Sequence, residues 1–215
     1  MEQELKREWS RGYIVEHWTR VLAVTVLVVT GFYIHWPFMA GGPGSFLMAN
    51  MRFLHFIFAY VLILGLAIRV YMAGFSRFDA DWKDFLTIDN FKDLPDIIGY
   101  YLFLTKSHKE YRRYNPLQAF AYLAVAGCIV IMTLTGAAIY HGSLFGFIPC
   151  PATFGWVNNL MGGEPNTRLL HLAVTWFFII FTLIHVYMSF MITAVNKDRS
   201  ITSIITGYKL KTRHS

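Results

Sequence analysis

Residues 52–72, RFLHFIFAYVLILGLAIRVYM, decide the fold, because residues 168–188, RLLHLAVTWFFIIFTLIHVYM, repeat them without a gap and match at 8 of 21 positions. Each stretch supplies the roughly 20 apolar helical residues that a hydrocarbon core requires. Neither has the in/out alternation of a barrel wall. Two more runs of this kind complete the set, and helices are expected at approximately 18–39, 53–75, 117–140 and 169–194. The expected fold is therefore an all-α membrane protein, a four-transmembrane-helix bundle forming a single membrane domain over residues 1–215.

Composition agrees. The 215 residues are 55% hydrophobic, 17% aromatic and 15% charged, against about 25% charged in an average soluble domain, which excludes a water-soluble globule. The net charge of +6 sits outside the apolar runs, so it reads as membrane orientation and gives no sign of nucleic-acid binding. Cys128 and Cys150 form no CxxC, no CxxCH and no cluster, which removes the thiolates needed for iron–sulfur ligation, structural zinc or covalent c-type haem. No small-residue cleavage site follows the first apolar run, so the first helix is expected to be retained.

Seventeen of the 19 Lys and Arg residues fall in the amino-terminal segment with Arg20, between Arg69 and Arg113, or from Lys197 onward; only Arg52 and Arg168 lie elsewhere. The positive-inside rule then puts both termini, the loop at 76–114 and the tail at 195–215 in the cytoplasm, and the loops at 40–52 and 141–168 outside. The 76–114 loop interleaves Trp82, Phe85, Leu86, Phe91, Tyr100 and Tyr101 with charges, a pattern expected to lie along the inner lipid surface as short amphipathic pieces.

Ionisable residues at membrane depth are costly without a partner, and their default reading is functional. His17, His55, His171 and His185 sit in or at the rim of the apolar helices. With the helix directions above, they sort into an inner pair, His17 with His185, and an outer pair, His55 with His171. Two imidazoles from facing helices at one depth are what bis-histidine ligation of haem iron requires. Two haem b groups stacked across the membrane are the natural expectation. Arg52 and Arg168 each precede an outer histidine by three residues, Arg20 follows His17 by three, and Arg69 stands where His185 stands in the repeat. All four are placed to pair with haem propionates, although snorkelling to the interface would also explain them. Thr30-Gly31 and Thr135-Gly136 recur in helices 1 and 3, and the missing side chains would let a porphyrin approach the backbone or two helices pack closely. His35, His141, His108 and His214 read as interfacial or solvated.

With these residues in place, the sequence resembles the b-type cytochrome subunits of membrane-bound nickel–iron hydrogenases, a family related to the gamma subunit of formate dehydrogenase. HWTRVLAVTVLVVTGFYI in helix 1, the RxxH starts of helices 2 and 4, YNPLQAFAY entering helix 3, HVYM, and ITSIITGYK in the tail carry the likeness. The resemblance implies the same four haem ligands and two haem b groups. It implies a periplasmic small iron–sulfur subunit and large nickel–iron subunit as partners, and residence in the bacterial cytoplasmic membrane. It also implies reduction of menaquinone or ubiquinone on the cytoplasmic side near Asn115, Gln118, Tyr187 and Met188. No catalytic residue is expected in the chain itself, since hydrogen chemistry would reside on the partners. A formate dehydrogenase or another periplasmic oxidoreductase as electron donor, and a haem-free anchor or transporter, remain the alternatives. Pyridine haemochrome analysis of the purified protein is expected to give two non-covalent b haems per chain; one would leave a histidine pair vacant, and none would return all four histidines to packing.

Overall fold

The structure is a computed structural model describing residues 3–38, 45–75, 92–101, 104, 116–196 and 200–212. Most of the loop expected along the inner surface, with Trp82, Phe85, Leu86 and Phe91, lies outside the described residues, as does Asn115. In chain order the elements are β1 (Gln3–Arg7), α1 (Arg11–His35), α2 (Leu47–Phe75), α3 (Leu94–Tyr101), α4 (Pro116–Ala138), β2 (Ser143–Leu144), β3 (Ile148–Pro149), α5 (Cys150–Leu160), α6 (Glu164–Asn196), α7 (Ser200–Thr206) and β4 (Tyr208–Thr212).

Among the described residues, α1, α2, α4 and α6 are long and apolar enough to cross a membrane. Only 6–17% of each apolar window is buried within the chain, so most of the apolar surface is left for lipid or for a bound group. A helix in water could not carry Leu64, Val70 and Leu183 at more than 60% exposure on such faces without aggregating. The protein is thus a multi-pass helical membrane protein.

Two compact units divide the chain, residues 1–65 with 129–215 and residues 66–128. The smaller unit holds the end of α2, α3 and the first half of α4. Pro116 opens α4, where its missing N–H costs nothing and its fixed φ suits the first turn. Ile97 of α3 and Ala119 of α4 are almost fully buried.

The larger unit holds both ends of the chain. Ser10 caps α1, its hydroxyl accepting from the Tyr13 amide at 3.1 Å, as N-cap serines do. Strand β1 pairs antiparallel with β4, from Gln3 opposite Thr212 to Arg7 opposite Tyr208, which brings both termini to the same end of this unit. The indole N–H of Trp9 donates to Ser203 Oγ at 3.3 Å, and that of Trp18 to the Ile204 carbonyl at 3.1 Å, locking α7 to the start of α1. At the other end, β2 and β3 form a hairpin through Phe145 and Gly146, both at positive φ. Helix α5 stops at Gly162 and Gly163, which also have positive φ and let the chain turn into α6. Asn158 of α5 donates to the Ala138 carbonyl at 2.9 Å, tying α5 to the end of α4.

Gly207 is the joint of the terminal lock. Its φ is +84°, a Cβ there would stand 3.1 Å from the Trp9 carbonyl oxygen, and its own carbonyl accepts from the Glu8 and Trp9 amides at 2.8 and 3.2 Å. Gly207→Ala is expected to cost about 1–2 kcal/mol from the left-handed backbone, with the clash added. Amide exchange in residues 3–7 and 208–212 should accelerate while the long helices stay protected; unchanged protection of the strands would contradict this account.

Candidate functional site

All four membrane-depth histidines belong to the larger unit, and the structure brings them together as two pairs. The His17 and His185 ring centres lie 6.5 Å apart with planes at 50°. For His55 and His171 the values are 6.5 Å and 52°. Two pairs from different helix combinations, α1 with α6 and α2 with α6, thus have the same geometry. His171 and His185 are 14 residues apart on one continuous helix, a rise of roughly 21 Å, so the pairs stand at different depths.

These separations fit a shared iron. With metal–nitrogen bonds of about 2 Å and each nitrogen about 1.1 Å from its ring centre, opposed imidazoles on one metal would sit roughly 6 Å apart. Directly hydrogen-bonded or stacked rings would be closer. A cavity of about 640 Å³ runs beside the outer pair, lined by Gly31, Arg52, His55, Gly136, Arg168 and His171 among mostly apolar neighbours. This volume lies within the range of cofactor sites, about 300–1,000 Å³. No group of three or more His, Cys, Asp or Glu side chains able to hold a bare metal ion occurs among the described residues. The pairs therefore suit a metal whose remaining ligands come from a macrocycle.

The outer pair is built by a repeated local design. Thr30 Oγ1 lies 2.9 Å from His55 Nδ1, and Thr135 Oγ1 lies 2.8 Å from His171 Nδ1. The next residue in each case is glycine, where an added Cβ would meet the histidine Cε1 at 3.3 Å. The space above Gly31 and Gly136 is thus taken by the imidazoles themselves. The Thr-Gly repeat was legible in the sequence; that the threonine hydroxyls meet the histidines was not, because 25 and 36 residues separate the partners. The inner pair has other neighbours: Trp18 edge-on to His17, and Phe181 stacked on His185 at 5.9 Å.

The arginines divide. Arg52 and Arg168 both line the outer cavity, but Arg168 also bonds Glu164 through Nε at 2.9 Å and Nη2 at 2.5 Å, and Glu164 accepts from His141 at 3.0 Å. One face of Arg168 is therefore already engaged by a carboxylate. Near the inner pair, Arg20 pairs with Glu16 one turn earlier. Arg20 Nε is buried with no hydrogen-bond partner among the described residues, an arrangement that suits a further anionic group. Arg69 lies in the smaller unit.

Of the residues expected around a quinone, Gln118 is exposed in the first turn of α4 and Met188 is half-buried on α6. Tyr187 is 63% exposed. Two residues past His185, it lies roughly 200° around the helix and so faces away from that histidine; Met188, three residues past, shares its side.

Comparison with known proteins agrees with this architecture. A family model described as prokaryotic cytochrome b561 matches residues 8–207. The chain is 31% identical over 223 residues to a probable Ni/Fe-hydrogenase B-type cytochrome subunit of Azotobacter vinelandii, covering 97% of this chain and 92% of that one. It is 30% identical over 204 residues to a protein of the same description from Cupriavidus necator, with 90% and 82% covered. A probable Ni/Fe-hydrogenase 1 B-type cytochrome subunit of Escherichia coli K12 is 26% identical over 205 residues, with 90% and 86% covered. With four membrane-length helices and paired imidazoles already in view, the match over nearly the whole chain makes this protein a member of the prokaryotic cytochrome b561 family, a b-type cytochrome whose group is haem b.

Proposed function

We propose that the chain is the two-haem subunit of a membrane-bound nickel–iron hydrogenase, carrying electrons across the bacterial cytoplasmic membrane to a quinone. The observation that carries this reading is the duplicated geometry: two histidine pairs at different depths, each with ring centres 6.5 Å apart. The printed descriptions of the relatives support the hydrogenase assignment. Haem iron held between two imidazoles supplies one-electron transfer.

The chain's own residues do the holding. His55 and His171 are the outer ligands, and His17 and His185 the inner ones. Arg52 and Arg168 at the outer cavity and Arg20 beside His17 are assigned to propionates, as is Arg69 by its place in the sequence repeat. The small iron–sulfur subunit and large nickel–iron subunit would dock on the outer face, where hydrogen is oxidised. Both termini would lie in the cytoplasm, since 17 of the 19 Lys and Arg residues fall in the segments that would share a side with them and the positive-inside rule assigns that side to the cytoplasm. Menaquinone or ubiquinone would be reduced there with cytoplasmic protons. Asn115, Gln118, Tyr187 and Met188 are assigned to it by sequence resemblance, and Asn, Gln and Tyr side chains offer the hydrogen bonds that quinone carbonyls need.

His185→Ala in the intact complex should leave one b haem per chain and abolish hydrogen-dependent quinone reduction, while dye reduction by the catalytic subunits persists. Undiminished quinone reduction would sink the inner-site assignment. Topology has its own check. A fluorescent protein fused after Ser215 is expected to fluoresce, and alkaline phosphatase inserted in the 141–168 loop to be active; the opposite pattern would reverse the orientation.

A further inference from the structure

Thr30 and Thr135 are each 2% exposed, and a buried hydroxyl must place its hydrogen. In both the destination is the carbonyl four residues earlier, Val26 at 2.7 Å for Thr30 and Ile131 at 2.7 Å for Thr135. A hydroxyl has one hydrogen and two lone pairs. With the hydrogen given to the backbone, the contact with histidine can only run the other way, Nδ1–H of His55 and His171 donating to threonine oxygen. Both rings are thereby held as the Nδ1–H tautomer, and the second nitrogen, Nε2, keeps its lone pair for a metal. The glycine after each threonine leaves the ring room to sit against the helix, so position and tautomer are set by one dipeptide. Among the described residues, neither inner histidine ring has such a hydroxyl partner.

We propose that Thr30 and Thr135 are positioning residues that fix the tautomer of the outer ligands and lower the reduction potential of the outer site relative to the inner one. An imidazole whose Nδ1–H is accepted by an oxygen is a more basic ligand, and a more basic ligand favours the oxidised metal. The outer site then holds an electron less firmly, and transfer runs downhill from His55 and His171 toward His17 and His185. This rests on the reading that both pairs bind haem.

The test uses the full-length cytochrome in its complex, with Thr30→Val, Thr135→Val, the double variant, and serine at each position. Haem content, a redox titration of the reduced α-band, and the ferric EPR spectrum are read together. Wild type should carry two haems that titrate as two components. Each valine variant should keep both haems and raise the lower-potential component, increasing the reduced-to-oxidised ratio at fixed ambient potential by roughly fivefold per lost bond. The higher component should stay in place, and serine should restore the wild-type titration. Valine variants that titrate like wild type, or serine variants that behave like valine, would overturn the proposal and leave the threonines as packing groups. If valine instead costs the outer haem, retention of haem and potential by serine still supports the proposal, and loss in both overturns it. Fewer than two haems in wild type would refute the two-site reading, a result distinct from every variant outcome.

Discussion

An imidazole placed at membrane depth must satisfy two ring nitrogens where water is absent, and the larger unit is arranged around that constraint. At the outer pair one nitrogen of each ring is satisfied by a threonine whose own hydrogen is already committed to its helix. The other is left for a group the chain does not itself supply. Each helix that bears an outer histidine therefore has a neighbour carrying Thr-Gly at matching depth, which sets α1 beside α2 at His55 and α4 beside α6 at His171. The contacts that hold the chain's two ends together, with Trp9 and Trp18 reaching the tail, fix where α1 begins, and hence the depth of His17.

The same constraint explains why so little of the long helices is buried. In a soluble bundle the apolar stripe of each helix is buried against its neighbours. Here the helices surround a cavity beside His55 and His171, and the remaining apolar surface has lipid as its solvent. Small residues do the close packing, as is usual between membrane helices. Ala23 and Ala137 are buried, as are Thr30 and Thr135, while most of the large apolar side chains, such as Leu64, Ile180 and Leu183, are exposed.

Much of this was legible in the sequence for simple reasons. Twenty-residue apolar runs have few alternative structures, and histidines within them stand out against a background that excludes charge. Their sorting by depth followed from helix direction alone. The hydroxyl partners were less visible, since Thr30 and Thr135 are ordinary in an apolar helix and become informative only when a ring from another helix is set beside them. The antiparallel pairing of Gln3–Arg7 with Tyr208–Thr212 was less legible too, because QELKR does not alternate, YKLKT does so over only five residues, and a short two-stranded ribbon leaves a faint pattern. Tyr187 was legible by the same periodicity: a two-residue step from His185 on a helix turns its side chain toward the opposite face.

One helix, α6, contributes a histidine to each pair, His171 and His185, and has no break between them. It therefore works as a ruler. Electron tunnelling slows exponentially with distance, and in the two-haem arrangement proposed above that distance would be set by a count of backbone hydrogen bonds, without reliance on loop conformation or on the fit of separate pieces. Loops elsewhere in the chain can gain or lose residues at little cost. Removing a single residue between His171 and His185 would swing one of them by about 100° and shift it about 1.5 Å, detaching it from its partner. The length of this segment is thus under tighter constraint than the identity of most of the side chains along it.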